Sequence, residues 1–129
     1  MAKLLVVDDE PDILRVVTKI MQSRGHTVET ARDGEEALEA VADSRPDLII
    51  LDINLPKLDG FEVCRRLKTD ERTRHIPIVM MTAAYTTVDD AELGTGIGAD
   101  EYVVKPFQKE ILIHNVERWL PAGKRDEGE

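Results

Sequence analysis

Short apolar runs alternate with longer amphipathic stretches along the chain. The runs occupy residues 3–7, 27–30, 47–51, 76–81 and 101–104. Three of them, LLVV, LIIL and IVMM, are continuous, the pattern of strands buried on both faces of a parallel sheet. Between the runs, apolar positions recur at helical spacing behind recognisable start signals. Pro11 suits a first helical turn, where its missing N–H would have no partner. Asp33-x-x-Glu36 and Asp59-x-x-Glu62 resemble capping boxes with Asp in place of Ser or Thr. Gly25 stands where a helix beginning at Pro11 should stop. The last helix carries Phe107, Ile111, Leu112, Val116, Trp119 and Leu120 on one side and is closed by Pro121. Cys64, Met80 and Met81 read as core. Five strands alternating with five helices predict a doubly wound α/β fold with a parallel sheet.

Composition narrows the class. A chain of 129 residues is a single domain, and at that size folding buries about two-thirds of the surface, enough for a core without staples. The one cysteine, Cys64, excludes an internal disulfide framework and fits a reducing compartment. A formal net charge of −9 argues against direct binding to nucleic acid or to an anionic membrane. The apolar start, Leu4 to Val7, runs into Asp8, Asp9 and Glu10 and is too short for a signal peptide or a membrane span. The expectation is a soluble cytoplasmic domain over residues 1–121, followed by a flexible acidic tail at 122–129.

In a doubly wound sheet the ligand crevice lies beyond the carboxyl ends of the strands. The first predicted strand ends in Asp8-Asp9, the third in Asp52, the fourth in Thr82 and the fifth in Lys105-Pro106. The topology therefore gathers three carboxylates, a hydroxyl and an ammonium. Two like charges about 4 Å apart at an effective dielectric of about 20 repel by roughly 4 kcal/mol. Lys105 offsets part of that, and a hard divalent cation offsets more. Carboxylate and carbonyl oxygens suit Mg²⁺, whereas Cys64 and the scattered His26, His75 and His114 offer no zinc spacing. An ionised carboxylate beside Mg²⁺ and Lys is a nucleophile toward phosphorus, and phosphoryl transfer asks mainly for positioning and charge neutralisation. The expected product is an aspartyl phosphate. Other readings fail on particular residues. LIILD is no Walker B partner, because no G-x-x-x-x-G-K-[ST] exists in the chain. The stretch from Asp52 is no calcium loop, with Pro56 at its fifth position and Val63 at its twelfth. Gly94-Thr-Gly96-Ile-Gly98-Ala99 fits G-x-G-x-x-A but precedes a strand instead of following one.

These residues resemble the receiver domain of two-component response regulators. The matching segments are LLVVDDEPDI at 4–13, LIILDINLPKLDGFEV at 48–63, IVMMTA at 78–83 and GADEYVVKPF at 98–107. The resemblance implies a flavodoxin-like sheet in the order 2-1-3-4-5 with five helices. It implies that Asp52 is the phosphoacceptor and that Asp9 binds Mg²⁺ directly with Asp8 helping. The backbone carbonyl of Asn54 would complete the metal shell. Thr82, Ala83 and Lys105 match the groups that hold phosphoryl oxygens, and Lys105-Pro106 matches a peptide bond usually cis. Tyr102 matches an aromatic residue that turns inward when Thr82 moves toward the phosphate. The implied donor is a sensor histidine kinase or histidine phosphotransfer protein. The implied output face is formed by the fourth helix, fifth strand and fifth helix, acting on an unnamed partner or in a phosphorylation-dependent dimer. Such a domain promotes its own phosphorylation and dephosphorylation and is not an enzyme toward other substrates. Gly94, Gly96 and Gly98 fall in the expected fourth helix between Thr86 and Gly98, and each interior glycine costs roughly 1 kcal/mol against Ala, so that helix is expected to be short. Two alternatives come from other classes. A pure interaction module would not need both Asp52 and Lys105. A phosphohydrolase would need a second Asp two residues after Asp52, where Asn54 stands.

Overall fold

The computed structural model of the protein describes residues 1–83, 98–121 and 123. In chain order the elements are β1 (Lys3–Val7), α1 (Pro11–Ser23), β2 (Thr27–Ala31), α2 (Gly34–Ser44), β3 (Leu48–Asp52), α3 (Gly60–Lys68), β4 (Ile78–Ala83), β5 (Glu101–Lys105) and α4 (Lys109–Glu117). The helix expected between residues 86 and 98 lies outside the described residues, so α4 is the fifth helix of the sequence reading. The expected tail at 122–129 lies outside them too, apart from Gly123.

All strand pairs are parallel, and the sheet runs β2-β1-β3-β4-β5. The alternation of side chains splits the core in two. Leu5, Val7, Ile49, Leu51, Ile78 and Met80 face α2 and α3, while Leu4, Val6, Leu48, Ile50, Val79 and Met81 face α1 and α4. Every residue of β3 is buried, which is why its sequence shows no polar alternation. The last strand is an edge: Val103 is buried, but Val104 is 50% exposed.

The helix starts follow their predicted chemistry in part. Asp33 Oδ1 accepts the Glu36 N–H at 2.8 Å, and Asp59 Oδ1 accepts the Glu62 N–H at 2.9 Å. The return arms differ from a capping box. Glu36 accepts the backbone N–H of Arg32, one residue before the cap, and Glu62 pairs with Arg65 and Arg66. Helix α1 ends at Ser23 with Arg24 as its cap, and Gly25 follows at φ +88°, in the left-handed region that glycine enters without a Cβ clash.

One expectation fails in α4. Ile111, read as part of the inward stripe, is 50% exposed. Leu112, Val116 and Leu120 recur every four residues and are buried. Ile111 sits about 100° around the helix from Leu112, and Ile113 packs the flank in its place. Trp119 rests half-buried against the same cluster, and its Nε1 donates to Glu101 Oε1 at 2.9 Å. Cys64 is buried and free, and burial pushes its thiol up to about 11. Among the described residues no helix is long and apolar enough to cross a membrane.

Candidate functional site

Adjacent parallel strands deliver the acidic groups. Val7 pairs with Leu51, so Asp8 and Asp52 follow at neighbouring positions as β1 and β3 end. Asp8 is fully buried and Asp52 is 4% exposed, while Asp9 faces solvent. Carboxylate oxygens of Asp8, Asp9 and Asp52 all lie within 4.8 Å of one another. Lys105, the last residue of β5, reaches across β4 into the cluster. Its Nζ stands 3.0 Å from Asp8 Oδ2, 3.2 Å from Asp52 Oδ1 and 3.7 Å from Glu10 Oε1. The peptide bond from Lys105 to Pro106 is cis.

The charges strain against each other. Burial, then the negative charge of Asp8, raises Asp52 above the ordinary carboxylate range; Lys105 and the backbone N–H of Asn54 pull it back. Burial alone would depress the Lys105 ammonium, but its bond to Asp8 and the charges of Asp52 and Asp8 outweigh that and raise it. One cation thus serves two buried carboxylates. The remaining negative charge and the hard oxygen donors of Asp8, Asp9 and Asp52 fit a divalent cation such as Mg²⁺.

Of the other expected residues, Thr82, Ala83 and Asn54 lie at or just past the strand ends that carry the cluster, whereas Tyr102 lies within β5, three residues before Lys105. Thr82 is buried in β4, one position beyond Met81, which pairs with Asp52. Strand alternation puts Thr82 on the face that carries Met80. Ala83 ends β4 and its backbone is in register with Lys105. Asn54 is exposed, just past the end of β3. Tyr102 is in register with Met80, packs half-buried on the α2–α3 side, and its hydroxyl accepts the Ala99 N–H at 3.2 Å.

Two contributors escaped the sequence reading. Glu10 donates its backbone N–H to Asp8 Oδ1 at 2.9 Å and brings its carboxylate toward Lys105. Gly60 opens α3 directly beneath the site: its N–H donates to Ile53 O at 2.7 Å, and a Cβ there would collide with the Asp52 carbonyl oxygen and the Ile53 Cα. The signal for Gly60 was present, since a poor helix former follows the Asp59 cap at a first helical position. Its reason is close approach, visible only in the folded chain.

Comparison with known proteins places this geometry. The model of the response regulator receiver domain matches residues 4–117. The transcriptional regulatory protein AfsQ1 of Streptomyces coelicolor is 40% identical over 126 residues, covering 98% of this chain and 54% of the relative. The DNA-binding response regulator MtrA of Mycolicibacterium smegmatis is 42% identical over 127 residues, covering 98% and 53%. The chain spans about half the length of these relatives. The chemotaxis response regulator CheY4 of Vibrio cholerae superposes with a TM-score of 0.84 at 38% identity, covering 93% of this chain and 99% of that one. The receiver domain of sensor histidine kinase PA1611 from Pseudomonas aeruginosa, with magnesium coordinated in its active-site cleft, does so with a TM-score of 0.81 at 32% identity, covering 92% and 96%. The expectation of no direct contact with nucleic acid finds no support, because MtrA is a DNA-binding regulator; the charge of a receiver says nothing of a DNA-binding segment elsewhere in a longer protein. By its matched residues and its five-stranded parallel sheet, the chain belongs to the receiver domains of two-component response regulators.

Proposed function

We propose that Asp52 accepts a phosphoryl group from a phosphohistidine of a sensor histidine kinase or phosphotransfer protein, and that the modified domain switches a remote face. The observation that carries this is the cluster itself: three carboxylates within 4.8 Å, with the Lys105 ammonium 3.2 Å from Asp52. An ionised Asp52 oxygen attacks phosphorus, the new O–P bond forms as the P–N bond breaks, and the donor imidazole leaves with the bonding electrons. Asp8, Asp9, Asp52 and the Asn54 carbonyl would hold Mg²⁺, whose chemistry there is to neutralise charge on the transferring group. Lys105, the Thr82 hydroxyl and the Ala83 backbone hold the phosphoryl oxygens. Asp52 lies beside β4, so a movement of Thr82 toward the phosphate frees space for Tyr102 and is felt at β5. Two side chains of this region, Val104 on β5 and Ile111 on α4, are each 50% exposed. They belong to the surface that engages the downstream partner or a second copy; the fourth predicted helix, also expected in that surface, lies outside the described residues.

On this reading residues 1–121 form a cytoplasmic switch that acts on itself and turns over no separate substrate. Incubation with acetyl phosphate and Mg²⁺ tests it by intact mass. One added phosphoryl group, absent in Asp52→Asn and without added Mg²⁺, is expected. An unchanged mass, or the same gain in Asp52→Asn, overturns the reading.

A further inference from the structure

A cavity of about 610 Å³ opens at the opposite end of the sheet from Asp52, where the chain enters β3 and β4. That volume is in the range of small-molecule sites. Its floor is apolar: Leu38 and Val41 from α2, Leu67 from α3, Ile76 before β4, and the ring of Trp119. Pro46, Pro77 and Pro121 also line it, half of the chain's six prolines. Each ring fixes a φ angle, so the walls are shaped before anything binds, which lowers the entropic cost of binding.

The rim holds charges of unequal availability. Asp47 accepts the Lys3 backbone N–H at 2.9 Å, and Asp70 is held by Arg72 at 2.9 Å. Arg45, at the C-terminus of α2, makes no side-chain hydrogen bond or ion pair among the described residues. Its backbone is the unusual feature. Arg45 sits at φ 48°, ψ 71°, in the left-handed region where a helix end normally places glycine because a Cβ crowds the backbone. A strained non-glycine residue with an unengaged cation beside a preformed apolar cavity points to a side chain kept for what it binds.

We propose that this cavity is a second ligand site, taking a small organic anion whose apolar body lies on Leu38, Val41, Ile76 and Trp119 and whose carboxylate pairs with Arg45. Charge complementarity selects the anion: Asp70 is paired with Arg72 and Asp47 accepts the Lys3 N–H, which leaves Arg45 as the rim cation with no carboxylate partner among the described residues. The site is separate from the Asp52 cluster and gives the domain an input independent of phosphorylation.

Trp119 is the chain's one tryptophan, so its emission and its indole N–H resonance report on the cavity directly. The probes are 4-phenylbutyrate and its uncharged counterpart 4-phenylbutanol. Saturable one-to-one binding of 4-phenylbutyrate is expected to shift both Trp119 signals, unchanged in Asp52→Asn. Binding of 4-phenylbutanol is expected to be about tenfold weaker, the effect of one charge-assisted hydrogen bond. Arg45→Gly relieves the backbone and removes the cation, so it is expected to melt higher than the parent while binding the two probes equally. The proposal is overturned if 4-phenylbutyrate gives no saturable Trp119 response at millimolar concentration. It is equally overturned if the two probes bind alike in the parent protein, or if Arg45→Gly keeps the preference for the anion.

Discussion

The backbone of Gly60 presses against the carbonyl of Asp52, leaving no room for a side chain between them. The first turn of α3 therefore supports the strand end that carries the proposed phosphoacceptor. Gly60→Ala is expected to cost about 2 kcal/mol in urea unfolding, the scale of overpacking at a tight contact, and to slow acetyl phosphate labelling because Asp52 must shift. Parental stability with parental labelling would show that the contact yields without consequence.

Asp52 destabilises the fold it serves. Its carboxyl titrates above the ordinary carboxylate range because burial and Asp8 oppose its charge. A raised acid binds its proton earlier in the folded than in the unfolded state, so ionised Asp52 costs stability at neutral pH, and that cost fades as the pH falls through the raised value. Asp52→Asn, without Mg²⁺, is expected to be more stable at pH 7 by on the order of 1 kcal/mol, because the amide carries no charge for burial and Asp8 to oppose. The advantage should shrink in acid. Thermal melts at pH 7 and pH 4 measure both.

Lys105 is the counter-charge of the cluster. Lys105→Met leaves Asp8 and Asp52 buried side by side and is expected to cost about 3 kcal/mol without metal, the usual effect of removing one partner of a buried pair. Added Mg²⁺ should then raise the melting temperature of the variant more than that of the parent, because it no longer competes with an ammonium. Equal Mg²⁺ responses would separate Lys105 from the cation site.

A second polar cluster ties α4 to the end of α1 and the approach to β2. Arg24 meets Glu117 through two bonds, Nη2 to Oε1 at 2.8 Å and Nε to Oε2 at 3.1 Å. His26 Nδ1 accepts the Ala2 N–H at 3.0 Å, so its proton sits on Nε2 and is donated to Glu117 Oε2 at 3.0 Å. Burial works against the Glu117 carboxylate, but the bonds from Arg24 and His26 outweigh it and hold the group below its usual range. Its contribution is complete above the unfolded value and is lost as the pH falls through the lower folded value. Glu117→Gln is expected to lose about 2 kcal/mol at pH 7, with the gap closing below about pH 4. A gap that persists in acid would mean that packing, not charge, is what Glu117 supplies.

Much of this was legible before folding was considered. LLVV, LIIL and IVMM show no alternation because both faces of β1, β3 and β4 are covered. Asp33 and Asp59 announce their helices through short side chains that bond to the backbone three residues on. Ile111 misled because a helical period cannot say which of two adjacent apolar residues faces inward when both border the stripe. Gly60 and Glu10 could not be weighed, since their roles depend on a neighbour's backbone and on where Lys105 reaches.

Local order along this chain is thus a property of its residue pattern: which stretches are strands, which are helices, and that acids stand where strands end. The meeting of Asp8, Asp9, Asp52 and Lys105 is a property of the folded sheet alone. It requires β1, β3, β4 and β5 to lie parallel in that order and in one register, so that an ammonium 97 residues from Asp8 arrives 3.0 Å away. No local propensity encodes a distance across strands. Burial of both sheet faces sets the register, because a slip of one residue would turn the core side chains outward and bury the polar ones.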